Sequence, residues 1–124
     1  MSDEVVTKIF NERLENHLDS VNGKIVCCSH HVPFKELQTA IKHGGRAYSF
    51  FNAYGGSAEF GRILRRYKVG YSLSGHLHTN THMMLYGVEC YQTSIGYLGT
   101  DYCFGTKPRY DEIIEERTLT LNLP

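Results

Sequence analysis

The sequence predicts an α/β fold in a single domain covering residues 1–124. Three observations carry that prediction. Two short apolar runs rich in strand formers, "KIVCCS" from Lys24 and "KVGYSLS" from Lys68, read as buried strands. Stretches with apolar residues three and four positions apart precede and separate them, which is the period of a helix. The length, 124 residues, suits one domain with one sizeable core.

The elements follow in order. Ser2 is placed to cap a first helix, with Asp3 and Glu4 in its favourable first turn. Val6, Ile9, Phe10, Leu14, Leu18 and Val21 form its apolar stripe, and Asn22-Gly23 stops it. The first strand ends in "HHVPF", where Pro33 and Phe34 open a second helix, "FKELQTAIKH". A Gly- and Tyr-rich loop follows, and Ser57 is placed to cap a third helix with Phe60, Ile63, Leu64 and Tyr67 on one stripe. The second strand is parallel to the first, because helices connect them. "THMMLY" and "VECYQTS" flank Gly87 and predict a hairpin. A second Gly/Tyr-rich loop leads to "RTLTLNLP", whose alternation of Leu119, Leu121 and Leu123 with polar residues predicts a last, half-buried strand.

Composition excludes several function classes. Thirteen basic and 13 acidic residues give zero formal net charge, so no general nucleic-acid surface is evident. "RRYK", from Arg65, is the one basic cluster, and it reads as a solvated helix end. No apolar run approaches the ~20 residues of a membrane span. The acidic, amphipathic start has none of the regions of a secretory signal. Cys27, Cys28, Cys90 and Cys103 form no disulfide framework, and the expected location is a reducing cytoplasm.

The chemistry concentrates in "SHH" and "GHLH", each directly after a buried strand. In open α/β sheets, sites form outside the carboxyl ends of parallel strands. Strands ~4.8 Å apart would let the two groups converge there. His76 and His78 are two positions apart, so in an extended stretch both rings point to one side. They read as metal ligands, since neutral imidazole is the commonest protein ligand for such ions. Of His30 and His31, one reads as a ligand and the other as its neighbour. His82 on the hairpin, His43 at a helix end and His17 beside an apolar stripe read as structural. Cys28 shares a strand face with His30 and, with His76 and His78, could complete a tetrahedral zinc site.

"KIVCCSHHVPF" followed by "GYSLSGHLHTN" resembles the calcineurin-like metallophosphoesterases. In that family a late strand ends in a histidine followed by a proline turn, and a Gly-His-x-His signature follows another strand. Here these are His30 with Pro33, and Gly75, His76, Leu77 and His78. "NERLENHLDSVNGK" is similar to the family's helix before the first of those strands. The resemblance covers about residues 5 to 100 and implies an α/β/β/α sandwich carrying two metal ions. It implies that His30 and His76 bind one ion and His78 the other, that the ions are Mn, Fe or Zn, and that the substrate is a phosphate ester. Arg46, in the first Gly/Tyr loop, is a candidate to hold the phosphate.

The family's other ligands lie in an Asp-x-His, a Gly-Asp-x-x-Asp and a Gly-Asn-His motif, none of which occurs here. The only aspartates are Asp3, Asp19, Asp101 and Asp111. The expectation is therefore the C-terminal half of such a sandwich, with an incomplete dinuclear site and no catalytic residue of its own. Its partner would be the missing N-terminal half or a second copy. Two other readings compete with this one: a non-catalytic interaction module that keeps the half-fold, and a small zinc-stabilised domain.

Overall fold

The computed structural model describes residues 2–41, 56–77, 80–94 and 110–121. Over these the chain is a small α/β fold built on a mixed four-stranded sheet. Helix α1 (Asp3–Leu18) leads to strand β1 (Val26–Ser29). A 3₁₀ helix over Lys35–Ile41 and helix α2 (Ala58–Arg66) precede strand β2 (Tyr71–Ser74). Strands β3 (Asn80–Leu85) and β4 (Val88–Thr93) and helix α3 (Tyr110–Arg117) complete the order.

The sheet runs β1-β2-β4-β3. β1 pairs parallel with β2, with Ser29 opposite Ser74, and β2 pairs parallel with β4. β3 and β4 form the antiparallel hairpin that the sequence predicts around Gly87. Tyr86 and Gly87 are its two central residues, with φ of 53° and 83°. Positive φ at both positions is the type I′ geometry, whose twist matches that of the flanking strands.

Register sorts the side chains into two faces. Cys27, Ser72, Cys90 and Met83 are Cα partners across the four strands and so share one face. That face meets Phe34, Leu37 and Leu64 in the core, together with Val32, Val69, Leu77 and Val88. Leu64 and Val69 are fully buried, each contributing about 1.5–3 kcal/mol by leaving water. They also close α2. The N–H of Val69 donates to the Leu64 carbonyl at 3.0 Å, and that of Lys68 to the Arg65 carbonyl at 3.1 Å. With Lys68 at φ 51°, this is a Schellman motif with lysine in the position glycine usually takes.

Helix α1 lies against α2, joined by the Arg66–Glu15 ion pair and by the Tyr67 hydroxyl donating to Asp19 at 2.7 Å. The predicted apolar stripe of α1 is only partly used. Leu18 is buried, whereas Phe10 and Val21 are 63% and 45% exposed. Neither Ser2 nor Ser57 makes a side-chain capping hydrogen bond, although both have the extended backbone of a capping residue.

Two predicted elements differ. The helix expected from Phe34 is a 3₁₀ helix, opened by the Leu37 N–H donating to the Phe34 carbonyl three residues back. The expected last strand is absent among the described residues. Its first residue, Arg117, ends α3 instead, where "DEIIEER" has strong helix formers. Thr118 extends that turn, its hydroxyl donating to the Ile114 carbonyl at 2.6 Å, so the alternation of leucines after it meets no strand over residues 118–121. Asn80, with its amide oriented to satisfy both neighbours, donates to the Gln92 carbonyl and accepts from Arg117, which ties α3 to the start of β3. No helix among the described residues is long and apolar enough to cross a membrane.

Candidate metal centre

The parallel pairing of β1 and β2 builds the centre. Because Ser29 stands opposite Ser74, the chain leaves both strands at the same level, and His30 and Gly75 follow side by side. His30 Nε2 and His76 Nδ1 are 3.0 Å apart, so in the neutral pair one ring N–H donates to the other ring's lone pair. The convergence of His30 and His76 expected from strand-end placement is therefore present.

His76 gets there by a strained turn. The Leu77 N–H donates to the Gly75 carbonyl at 2.8 Å, closing a γ-turn with His76 at its centre and φ of 62°. The positive-φ γ-turn is the rare, strained form, and such outliers gather at functional sites. Leu77, buried in the core cluster, anchors its far side. The stretch is thus not extended at His76, and the argument that placed His76 and His78 on one side through extended geometry does not hold there. His78 and Arg46 both lie outside the described residues.

Among the described residues, His31 joins the group. One ligating atom from each of His30, His31 and His76 lies within 4.8 Å of the others. The ring centroids form a nearly equilateral triangle with sides of 5.0, 4.9 and 5.0 Å. Sequence reasoning took one of His30 and His31 as a ligand and the other as its neighbour, and the resemblance implied His30; in a continuing strand the two would face opposite ways. β1 ends at Ser29, and the chain bends at His30 and His31, so that alternation has already stopped. The Ser29 hydroxyl fixes the bend by donating to the His31 carbonyl at 2.8 Å. Directly beyond, Val32 and Pro33 are buried, with Gly56 and Gly61 pressed against their carbonyls.

Burial and the neighbouring His30 hold the His31 imidazole below its ordinary pKa. The ring is therefore neutral at pH 7, with a lone pair to give. His30 and His31 are exposed and His76 is half-buried, so the group opens to solvent. A shallow depression of ≈ 380 Å³, floored by Cys28, Leu73 and Ser74, adjoins His30. Cys28 is exposed on β1 but is not in the metal-competent group, which removes the support for a Cys28-containing zinc site.

Several other polar groups pair away from the histidines. A cavity of ≈ 530 Å³ opens beyond the Val32–Phe34 turn. The Glu36 carboxylate that lines it accepts from the Tyr86 hydroxyl at 2.7 Å, and Arg65 lies 4.5 Å from the Tyr86 ring centre. His82, read as structural from its hairpin position, meets Glu89 at 3.1 Å and stacks on Tyr91. His17 is exposed, its Nδ1 lying 2.7 Å from the Arg13 carbonyl.

The fold and the histidine group define a small α/β unit with an open imidazole cluster at the carboxyl ends of parallel strands. No family model matches the sequence, and neither the curated proteins nor the solved structures offer a match.

Proposed function

We propose that this chain supplies the histidine-bearing part of a metal-dependent phosphohydrolase of the calcineurin-like kind. The observation that carries the reading is the approach of His30 to His76, one from each of two parallel strands. The strand-His-Pro and Gly-His-x-His motifs and the mixed sheet are consistent with it.

The donor set fits one divalent cation rather than two. Two dications ~3.5–4 Å apart need a bridging anion, and the group contains no carboxylate among the described residues. A single bound cation supplies Lewis acidity toward a phosphoryl oxygen. This chain's part is to position that cation. His30 and His76 would hold the cation at the strand ends, and the γ-turn fixes the backbone that carries the His76 imidazole. The anionic ligands and the acid for the leaving group come from a complementary polypeptide or a second copy. Arg46 is the proposed phosphate contact.

The test is hydrolysis of aryl phosphate mono- and diesters by the chain loaded with zinc, cobalt or manganese. The expected result is trace, cation-dependent turnover that disappears in His30→Ala and His76→Ala. Turnover of about 1–10³ per second by the chain alone would contradict the partial-site reading. Cation binding that ignores both substitutions would sink the whole proposal.

A second reading is a non-catalytic metal-binding module. The all-imidazole composition of the group favours it. Cation binding through His30 and His76 with no phosphoesterase activity, alone or with a complement that restores the sheet, would select it.

A further inference from the structure

We propose that His31 is a metal ligand, so that His30, His31 and His76 together hold one zinc, cobalt or nickel ion on three imidazoles. This rests on the reading of His30 and His76 as ligands and adds a donor that the motif resemblance does not supply.

Three observations carry it. The first is symmetry. The three ring-centre separations, 5.0, 4.9 and 5.0 Å, agree closely, so no ring is peripheral to the other two. The second is scale. Metal–nitrogen bonds of ~2.1 Å place neighbouring donors ~3.0 Å apart at a right angle and ~3.4 Å apart at a tetrahedral angle. The His30–His76 pair already stands at 3.0 Å. All three donors lie within 4.8 Å, so rotation about side-chain bonds closes the remaining distance without moving the strands. The third is backbone commitment. The Ser29 hydroxyl holds the His31 carbonyl, and the γ-turn holds His76 in the left-handed region. Two separate local devices thus aim side chains at one point.

The donor chemistry then selects the ion. Three neutral nitrogens without a carboxylate suit zinc, cobalt and nickel, whereas manganese and magnesium need oxygen ligands. The exposed side of the triangle leaves coordination positions for water or a ligand oxygen. The competing account is a hydrogen-bonded ring cluster that needs no ion, and it predicts no difference between metals.

The experiment measures zinc and cobalt affinity and stoichiometry on the whole chain by native mass spectrometry and by the visible spectrum of bound cobalt. It compares wild type with His30→Ala, His31→Ala, His76→Ala and His78→Ala, using His82→Ala as the control. One ion per chain is expected, with manganese far weaker. His31→Ala should weaken zinc by more than the ~100-fold typical of losing an outer-shell partner. Nitrogen-15 shifts of the imidazoles during zinc titration give a second measure on the unmutated chain, and His31 should move together with His30 and His76. Wild-type affinity in His31→Ala, with losses in His30→Ala and His76→Ala, would overturn the role of His31 and leave the proposed function standing. Wild-type affinity in all three would overturn both. A loss in His78→Ala but none in His31→Ala would also overturn the assignment and give the third position to His78.

Discussion

His30 Nε2 and His76 Nδ1 are 46 positions apart in the chain and 3.0 Å apart in space. The backbone at His76 is strained to make that contact, with φ of 62°. A left-handed conformation costs a residue bearing a Cβ about 1–2 kcal/mol, and glycine escapes it. Metal-free His76→Gly should therefore be more stable than metal-free His76→Ala by about 1 kcal/mol. Both should lose the metal. Urea denaturation of the two variants checks the difference, and equal midpoints would mean that the γ-turn does not form in solution.

Lys68 poses the same problem without any link to function. It takes the left-handed position of the Schellman motif that ends α2. Lys68→Gly should raise stability by about 0.5–1 kcal/mol and leave cation affinity unchanged. Thermal unfolding and a zinc titration on the same sample measure both halves.

Gly61 should be irreplaceable for the opposite reason. A Cβ there would overlap the Pro33 carbonyl and stand 2.8 Å from the Phe34 ring. Alanine gains about 1 kcal/mol in helix propensity, but forcing volume into this packed contact costs about 1–3 kcal/mol. The clash involves backbone, which cannot swing away, so Gly61→Ala should be destabilised overall. Because Pro33 lies two residues after His31, zinc affinity should fall as well. A variant as stable as wild type would contradict the packing of α2 on this turn.

Tyr91 should ionise late. Its hydroxyl donates to Glu89 at 2.5 Å, and that hydrogen bond, with smaller contributions from desolvation and the carboxylate's charge, pushes its pKa up to about 12. The fold favours the protonated phenol. Its contribution to stability is therefore complete below the ordinary pKa of ~10 and is lost as pH rises through about 12. Ultraviolet titration of tyrosinate should show a late component, at about 12, that disappears in Tyr91→Phe and moves toward ~10 in Glu89→Gln.

The sequence and the structure agree where a local signal had no competitor. The parallel β1–β2 pair follows from apolar runs separated by a helical pattern, and the hairpin follows from Gly87. His76 and one of the His30–His31 pair were legible because a strand end fixes position whatever the side chain does next, and the motif resemblance pointed to His30. His31 was not, since its place depends on a backbone bend set by Ser29 and by the buried Val32–Pro33 turn. The last strand is absent over residues 118–121 because alternation in "RTLTLNLP" needs a pairing partner, while "DEIIEER" forms helical hydrogen bonds within itself. The stripe on α1 showed amphipathic character but not how much of it the rest of the chain covers, and Phe10 is exposed.

The sheet order also sets a chronology. β3 and β4 meet across a two-residue turn, and hairpins close in about 1–10 μs. β1 and β2 join segments separated by a 3₁₀ helix and α2, so their pairing waits on the entropy of a long loop. The histidine triangle straddles that slower junction. A hairpin formed early offers the ion nothing, and cation uptake in a refolding experiment should lag behind the hairpin's signal. Bound metal would then date the end of folding, acting as a witness to assembly and not as its seed.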